Sequence, residues 1–253
     1  MNHAINIWQA CKNSFSHQQL SGQLVRVIES QEQVATNHLV ENLEEQHLLE
    51  QMLEDNKPGH CHAGLHYLLA TPFRYPPLKY GSRFGKRSEP SLFYGSKDTQ
   101  TALAEAAYYR FVFWCGMEVP PPSQKFSTQH TIWGAKYHTD KGAQLHKPPF
   151  ADYQAELTAA DNYQYSQAIG AELRNCHVEA FEFTSARAPL RGVNVALFTP
   201  DALACKSPTY QKQLLCDTNS QEVLFYSAVE QAIYRFSFEQ FLINEQLPLP
   251  AVC

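Results

Sequence analysis

The chain has 253 residues, 44% of them hydrophobic and 18% charged, with a formal net charge of −5. That length supports a sizeable core in one large domain or two small ones, and the composition excludes a disordered chain. The acidic balance excludes a globally basic nucleic-acid binder, although a local cationic cluster still suits a small anion.

Residues 1–57 read as helical. Val34, Leu39, Val40, Leu43, Leu48, Met52 and Leu53 recur close to helical spacing, and Pro58 and Gly59 end the run. The expected division is an N-terminal helical extension over residues 1–60 and a second region over 61–253. Eight acids and no Lys or Arg lie between Val27 and Asn56. They form a solvated face, or a docking surface for a basic partner or for the basic loop further along the chain. His60, Cys61, His62 and His66 follow, but their spacing fits no common zinc pattern, so they read as loop and helix-start residues and no metal is expected.

From about Thr71 short strand-like runs appear: "SLFYGS", "HTIWGAKYHT", "VEAFEFTS", "VNVALF", "EVLFYS" and "IYRFSFEQF". The last alternates Tyr234, Phe236 and Phe238 with Arg235, Ser237 and Glu239, as a half-buried strand does. Helices are expected over Thr99–Trp114 and roughly Ala151–Asn175. No βαβ unit repeats, so the expected class is α+β, with a compact mixed or antiparallel sheet and flanking helices. Seven cysteines without regular spacing read as reduced thiols. No signal pattern opens the chain and no apolar run reaches about 18 residues, so the expected location is cytoplasmic, away from membranes.

The stretch from Arg74 to Cys115 concentrates the chemistry. Its first fourteen residues hold five cations and no acid, among Gly81, Ser82 and Gly85; its last seventeen hold only Glu105 and Arg110 as charges. Glycines let backbone N–H groups approach an anion and arginine grips phosphate with two donors, yet no Walker pattern is present. Asp98 or Thr99 suits the N-cap of the helix that follows. Ala102, Ala106, Tyr109 and Phe113 form one stripe of that helix, with Glu105 about 70° from its centre. A carboxylate there loses hydration unless something compensates: an ion pair with Arg110 or another cation, or a role in a sheltered site. Tyr94 precedes it on a strand, and Gly95–Ser96 turns the chain so that both side chains can enter one cleft. Ser185 ends another strand, where a hydroxyl can bond a ligand or merely a turn. No GxSxG elbow surrounds it, so it is not read as a nucleophile.

These motifs together resemble the RES domain. Arg83, Glu105 and Ser185 stand where that family carries its Arg, Glu and Ser, and "FRYPPLKYGSRFG", "LFYGSKDTQTALAEAAYYR" and "TSARAPLRGVNVALF" follow in the expected order, from about Leu68 to Leu224. The resemblance implies an ADP-ribosyltransferase-like fold. It also implies a toxin of a bacterial toxin–antitoxin pair, with an Xre-like helix-turn-helix antitoxin as partner. Such proteins degrade NAD+ at the nicotinamide–ribose bond, by phosphorolysis or hydrolysis. NAD+ is then a substrate, with inorganic phosphate a potential co-substrate and no resident cofactor. Carried over, Glu105 stabilises an oxocarbenium-like ribose, Arg74 and Arg83 hold phosphates, Tyr75 and Tyr94 position nicotinamide or ribose, and Ser185 orients ribose or phosphate. A homodimer, ADP-ribosyl transfer to a macromolecule and a non-catalytic partner-binding module stay open as alternatives.

Overall fold

The computed structural model describes residues 6–30, 42–55 and 64–249. In chain order the helices are α1 (Ile7–Cys11), α2 (Leu43–Asp55), α3 (Tyr67–Arg74), α4 (Thr99–Cys115), α5 (Gln154–Leu157) and α6 (Gln164–Asn175). The strands are β1 (Gln18–Glu29), β2 (Phe93–Ser96), β3 (Phe126–Gln144), β4 (Ala180–Thr184), β5 (Val193–Leu197), β6 (Tyr210–Thr218), β7 (Glu222–Ser227) and β8 (Ala232–Ser237).

Among the described residues these eight strands join one sheet in the order β1-β2-β5-β4-β3-β6-β7-β8, and β1 also pairs with β3. The first five therefore close into a ring, and β6, β7 and β8 continue outward from β3. Among the described residues only β3 and β4 pair in parallel. The α+β class with a mixed sheet is as expected, and among the described residues no helix is long and apolar enough to cross a membrane. The expected metal-free reading concerns residues that lie partly outside those described. Of its four residues only His66 is inside, and it caps α3, its ring nitrogen Nδ1 accepting from the Leu68 N–H at 3.3 Å.

Three expectations need correction. Residues 18–29 are not helical: they form β1, which pairs with β3 from Gln18↔Gly142 to Glu29↔His130 and so belongs to the same sheet as the strands after residue 61. The expected helix over 151–175 is broken at residues 158–163. Thr158 turns its hydroxyl back on the Gln154 carbonyl at 2.6 Å, and the Asn162 side chain accepts from the Gln164 N–H at 2.8 Å where α6 starts. Phe238 lies in a 3-10 turn after β8, beyond the strand in which it was expected.

Helix α4 organises the core. Asp98 is its N-cap, accepting from the Thr101 N–H at 2.7 Å and the Thr101 hydroxyl at 2.8 Å. One side buries Leu103, Ala107, Tyr108 and Phe111 against Leu214, Val223, Phe225 and Phe236 of the outer strands. Each large side chain so buried contributes about 1.5–3 kcal/mol. On the other side of the fold, α6 packs Ile169 and Leu173 on Phe84, Phe181 and Phe183. Gly170 lets it approach, since a Cβ there would stand 2.0 Å from the Phe84 carbonyl oxygen.

His130 on β3 is buried, edge-on to the Phe225 ring at 5.5 Å. Burial, reinforced by the nearby Arg110 charge, lowers its pKa to about 4. The unfolded imidazole takes up its proton near 6.5, so the native state binds fewer protons between these values. Stability is full above about pH 6.5 and declines as pH falls toward 4, by on the order of 3 kcal/mol from this residue. Urea unfolding at pH 7 and pH 4.5 is expected to show a larger drop for the wild type than for His130→Leu; equal drops would contradict this.

Candidate functional site

Strands β1 and β2 share a single register pair, Val25↔Ser96. A cleft of about 410 Å³ opens here, lined by Val25, Arg26 and Val27 of β1 and by Tyr94, Gly95 and Ser96 of β2. The loop before β2 adds Leu78 and Tyr80 to Arg83; α4 adds Ala102, Glu105, Ala106 and Tyr109; Tyr163, Phe183, Arg187 and Asn194 complete the wall. The volume lies in the range of small-molecule sites, roughly 300–1,000 Å³.

Glu105 is the acid of this lining, and its environment answers why an apolar helix carries it. Its Oε1 accepts from the Ser185 hydroxyl at 2.6 Å and from the Asn194 side-chain N–H at 2.6 Å. Asn194 is itself fixed, because its Oδ1 accepts from the Ser96 hydroxyl at 2.7 Å, and Ser96 lies opposite it in register. No cation pairs with Glu105 among the described residues. The alternative partner, Arg110, turns away to Glu29 at 2.7 Å and sits between the rings of Phe113 and Phe126. With Oε1 saturated, Oε2 has no protein partner among the described residues and is available to a ligand.

Ser185 is only 4% exposed, and it is not among the lining residues. Its oxygen accepts from the Arg187 N–H at 3.1 Å and the Ala188 N–H at 2.9 Å, and its proton goes to Glu105. One donated and two accepted hydrogen bonds use the capacity of its hydroxyl, and the donated one orients the carboxylate.

Three arginines share the lining with this single carboxylate, and none has a carboxylate partner among the described residues. The helix break at 158–163 positions two of them. Arg83 donates to the carbonyls of Ala159 at 2.8 Å and Leu157 at 3.4 Å and lies 4.6 Å over the Tyr163 ring. Arg187 donates to the Ala160 carbonyl at 2.7 Å and stacks 3.6 Å over the Tyr108 ring. The third, Arg26, comes from β1, donates to the Tyr94 carbonyl and lies 5.2 Å over the Phe93 ring. Lost hydration lowers its pKa to about 10, which still leaves it charged at neutral pH. Guanidinium groups held by carbonyls and rings, without counter-charges, form a site for an anion.

The basic loop is shaped by Gly81, whose φ of +71° and closeness to the Gly85 carbonyl oxygen exclude a side chain. Tyr94 secures it: the phenol bonds the Ser82 hydroxyl at 2.9 Å and accepts from the Phe84 N–H at 3.2 Å. Burial pushes that phenol's pKa up to about 12, so it stays protonated.

The structure thus brings Arg83, Tyr94, Glu105 and Ser185 to one place. Arg74 and Tyr75, at the end of α3, are not among the lining residues; the Arg74 guanidinium lies 5.9 Å from the Tyr75 ring instead. Arg26, Arg187 and Asn194 escaped the sequence reading. The signal for Asn194 was present, as an amide between Val193 and Val195 in an otherwise apolar strand.

Among the described residues no cluster of His, Cys, Asp and Glu could hold a metal ion. The sequence model of the family described as RES domain matches residues 57–218, well over half of the chain. No curated protein matches the sequence. A similar solved structure, described as the M. tuberculosis MbcT-MbcA toxin-antitoxin complex, shares 10% identity at a TM-score of 0.49, covering 86% of this chain and 94% of that one.

Proposed function

Because the chain belongs to the RES domain family, we propose that it is a toxin that breaks the nicotinamide–ribose bond of NAD+ in this cleft, with a protein antitoxin as its partner. The observation that supports this most is the pairing of one oriented, cation-free carboxylate with three uncompensated arginines. That charge pattern fits a ligand with an anionic pyrophosphate and a reacting centre that becomes positive.

Nicotinamide leaves with the electron pair of the C–N bond, which neutralises its pyridinium nitrogen, so little acid catalysis is needed. The positive charge passes to the ribose ring, as in glycoside cleavage. Glu105 Oε2 stabilises that charge and bonds a ribose hydroxyl, and it does so without reorganisation because Ser185 and Asn194 hold Oε1. Arg26 and Arg83 grip the pyrophosphate, and Arg187 is placed for the same anion or for an incoming inorganic phosphate. Phosphate addition at the ribose carbon gives ADP-ribose 1″-phosphate; water addition gives ADP-ribose and a proton.

Ser185→Ala is expected to lower kcat by roughly 10–100-fold with little change in KM, because the variant frees the carboxylate without removing it. Steady-state kinetics check this, and an unchanged kcat would contradict it.

The reading is tested by incubating NAD+ with the protein, with and without inorganic phosphate, and resolving the products by chromatography. Nicotinamide release supports it, and the sugar product identifies the nucleophile. Intact NAD+ under both conditions with folded protein would contradict it. ADP-ribose appearing on an added macromolecule would convert it to a transfer reaction.

A further inference from the structure

We propose that Tyr109 is the platform on which the nicotinamide ring lies, and so a specificity-determining residue for the leaving base; this rests on the NAD+ reading above. Ala102, Glu105, Ala106 and Tyr109 are spaced as i, i+3, i+4 and i+7 on α4, and all four line the cleft. Tyr109 stands one helical turn beyond Glu105. Side chains so spaced are neighbours, with Cβ atoms about 5–6 Å apart. A base bonded to a ribose carbon beside the carboxylate therefore falls within reach of this ring.

The surroundings suit a flat cation. Ala102 and Ala106, on the same stripe of α4 as Glu105, and Val27 of β1 give the lining small or apolar side chains, and Tyr109 continues that stripe one turn on. Both the Glu105 carboxylate and the Arg187 guanidinium act on the Tyr109 phenol, Glu105 the more strongly; Arg187 itself is held by Tyr108 and the Ala160 carbonyl, and Arg110 of α4 is tied to Glu29. Tyr109 is 50% exposed, whereas Tyr108 beside it is fully buried and holds it edge-on at 5.1 Å. The other lining tyrosines are placed differently. Tyr94 is bonded into the basic loop, the Tyr163 face is taken by Arg83, and Tyr80 belongs to the loop itself. A phenol face attracts the cationic pyridinium of intact NAD+ more than the neutral nicotinamide that leaves. Tyr109 therefore favours substrate over product and acts on KM more than on kcat.

The test uses Glu105→Gln, whose side-chain oxygen still accepts from Ser185 and Asn194, so that binding is measured without turnover. NAD+ and ADP-ribose, which lacks the base, are titrated by calorimetry. Adding Tyr109→Ala is expected to weaken NAD+ about tenfold or more and ADP-ribose less than about twofold, from the range of base–aromatic stacking. Tyr109→Phe retains the ring and keeps NAD+ affinity within about twofold. Equal losses for both ligands, or no loss for NAD+, would overturn the assignment. Failure of Glu105→Gln alone to bind either ligand would overturn it as well, and would separately reject the NAD+ reading.

Discussion

Glu105→Gln is expected to reduce nicotinamide release by roughly 10³-fold or more while leaving the melting temperature within a few degrees of wild type. The size follows from the role: preorganised groups aimed at charge that develops in the transition state are worth about 10²–10³ each, and here the group is a full charge. The small stability effect follows from the site. Glu105 lines an open cleft, has no ion pair to lose, and its two hydrogen bonds end on an oxygen that glutamine also carries. Kinetics on the folded variant, with circular dichroism melting as control, check both halves. A folded Glu105→Gln protein that turns over at the wild-type rate would remove the carboxylate from the mechanism.

Arg26→Ala is expected to lower kcat/KM by about 10–100-fold, the range for losing a charge-assisted hydrogen bond to an ionised group, about 1.5–3 kcal/mol. Arg74→Ala is expected to stay within about threefold, since Arg74 does not line the cleft. The contrast separates two arginines that local composition and position relative to the cleft rank in opposite order. Arg74 stands in the cation-rich stretch, whereas Arg26 lies in strand β1, outside the residues matched by the family model. Parallel kinetics on both variants decide the matter, and a larger loss from Arg74→Ala would reverse the assignment.

What could be read from the sequence was what local chemistry determines. The cap at Asp98, the helix over Thr99–Cys115 and the oddity of Glu105 within it depend on neighbours a few residues away. The same holds for β2, β4, β5 and β7, whose apolar runs are bounded by turn residues. Strand β1 was missed because the helical spacing from Val34 to Leu53 was extended back over it; the β-branched Val25, Val27 and Ile28 were the counter-signal. Arg26 could not be placed without β1, because only pairing across more than a hundred residues to β3 carries it to the cleft. Arg187 had no local signal to mark it out, and the carbonyls that hold it and Arg83 come from around a helix break of modest local signal. Ser185 was expected to orient ribose or phosphate, whereas the hydrogen bond its hydroxyl donates goes to Glu105, a contact 80 residues away in the chain that no local pattern announces.

The most direct test of the central claim is a crystal structure of the Glu105→Gln variant with NAD+. The account predicts intact NAD+ in the cleft between β1 and β2, its pyrophosphate on Arg26 and Arg83, and its nicotinamide ribose carbon facing the residue-105 side chain. NAD+ bound elsewhere, or bound here with the nicotinamide ribose turned away from residue 105, would contradict it.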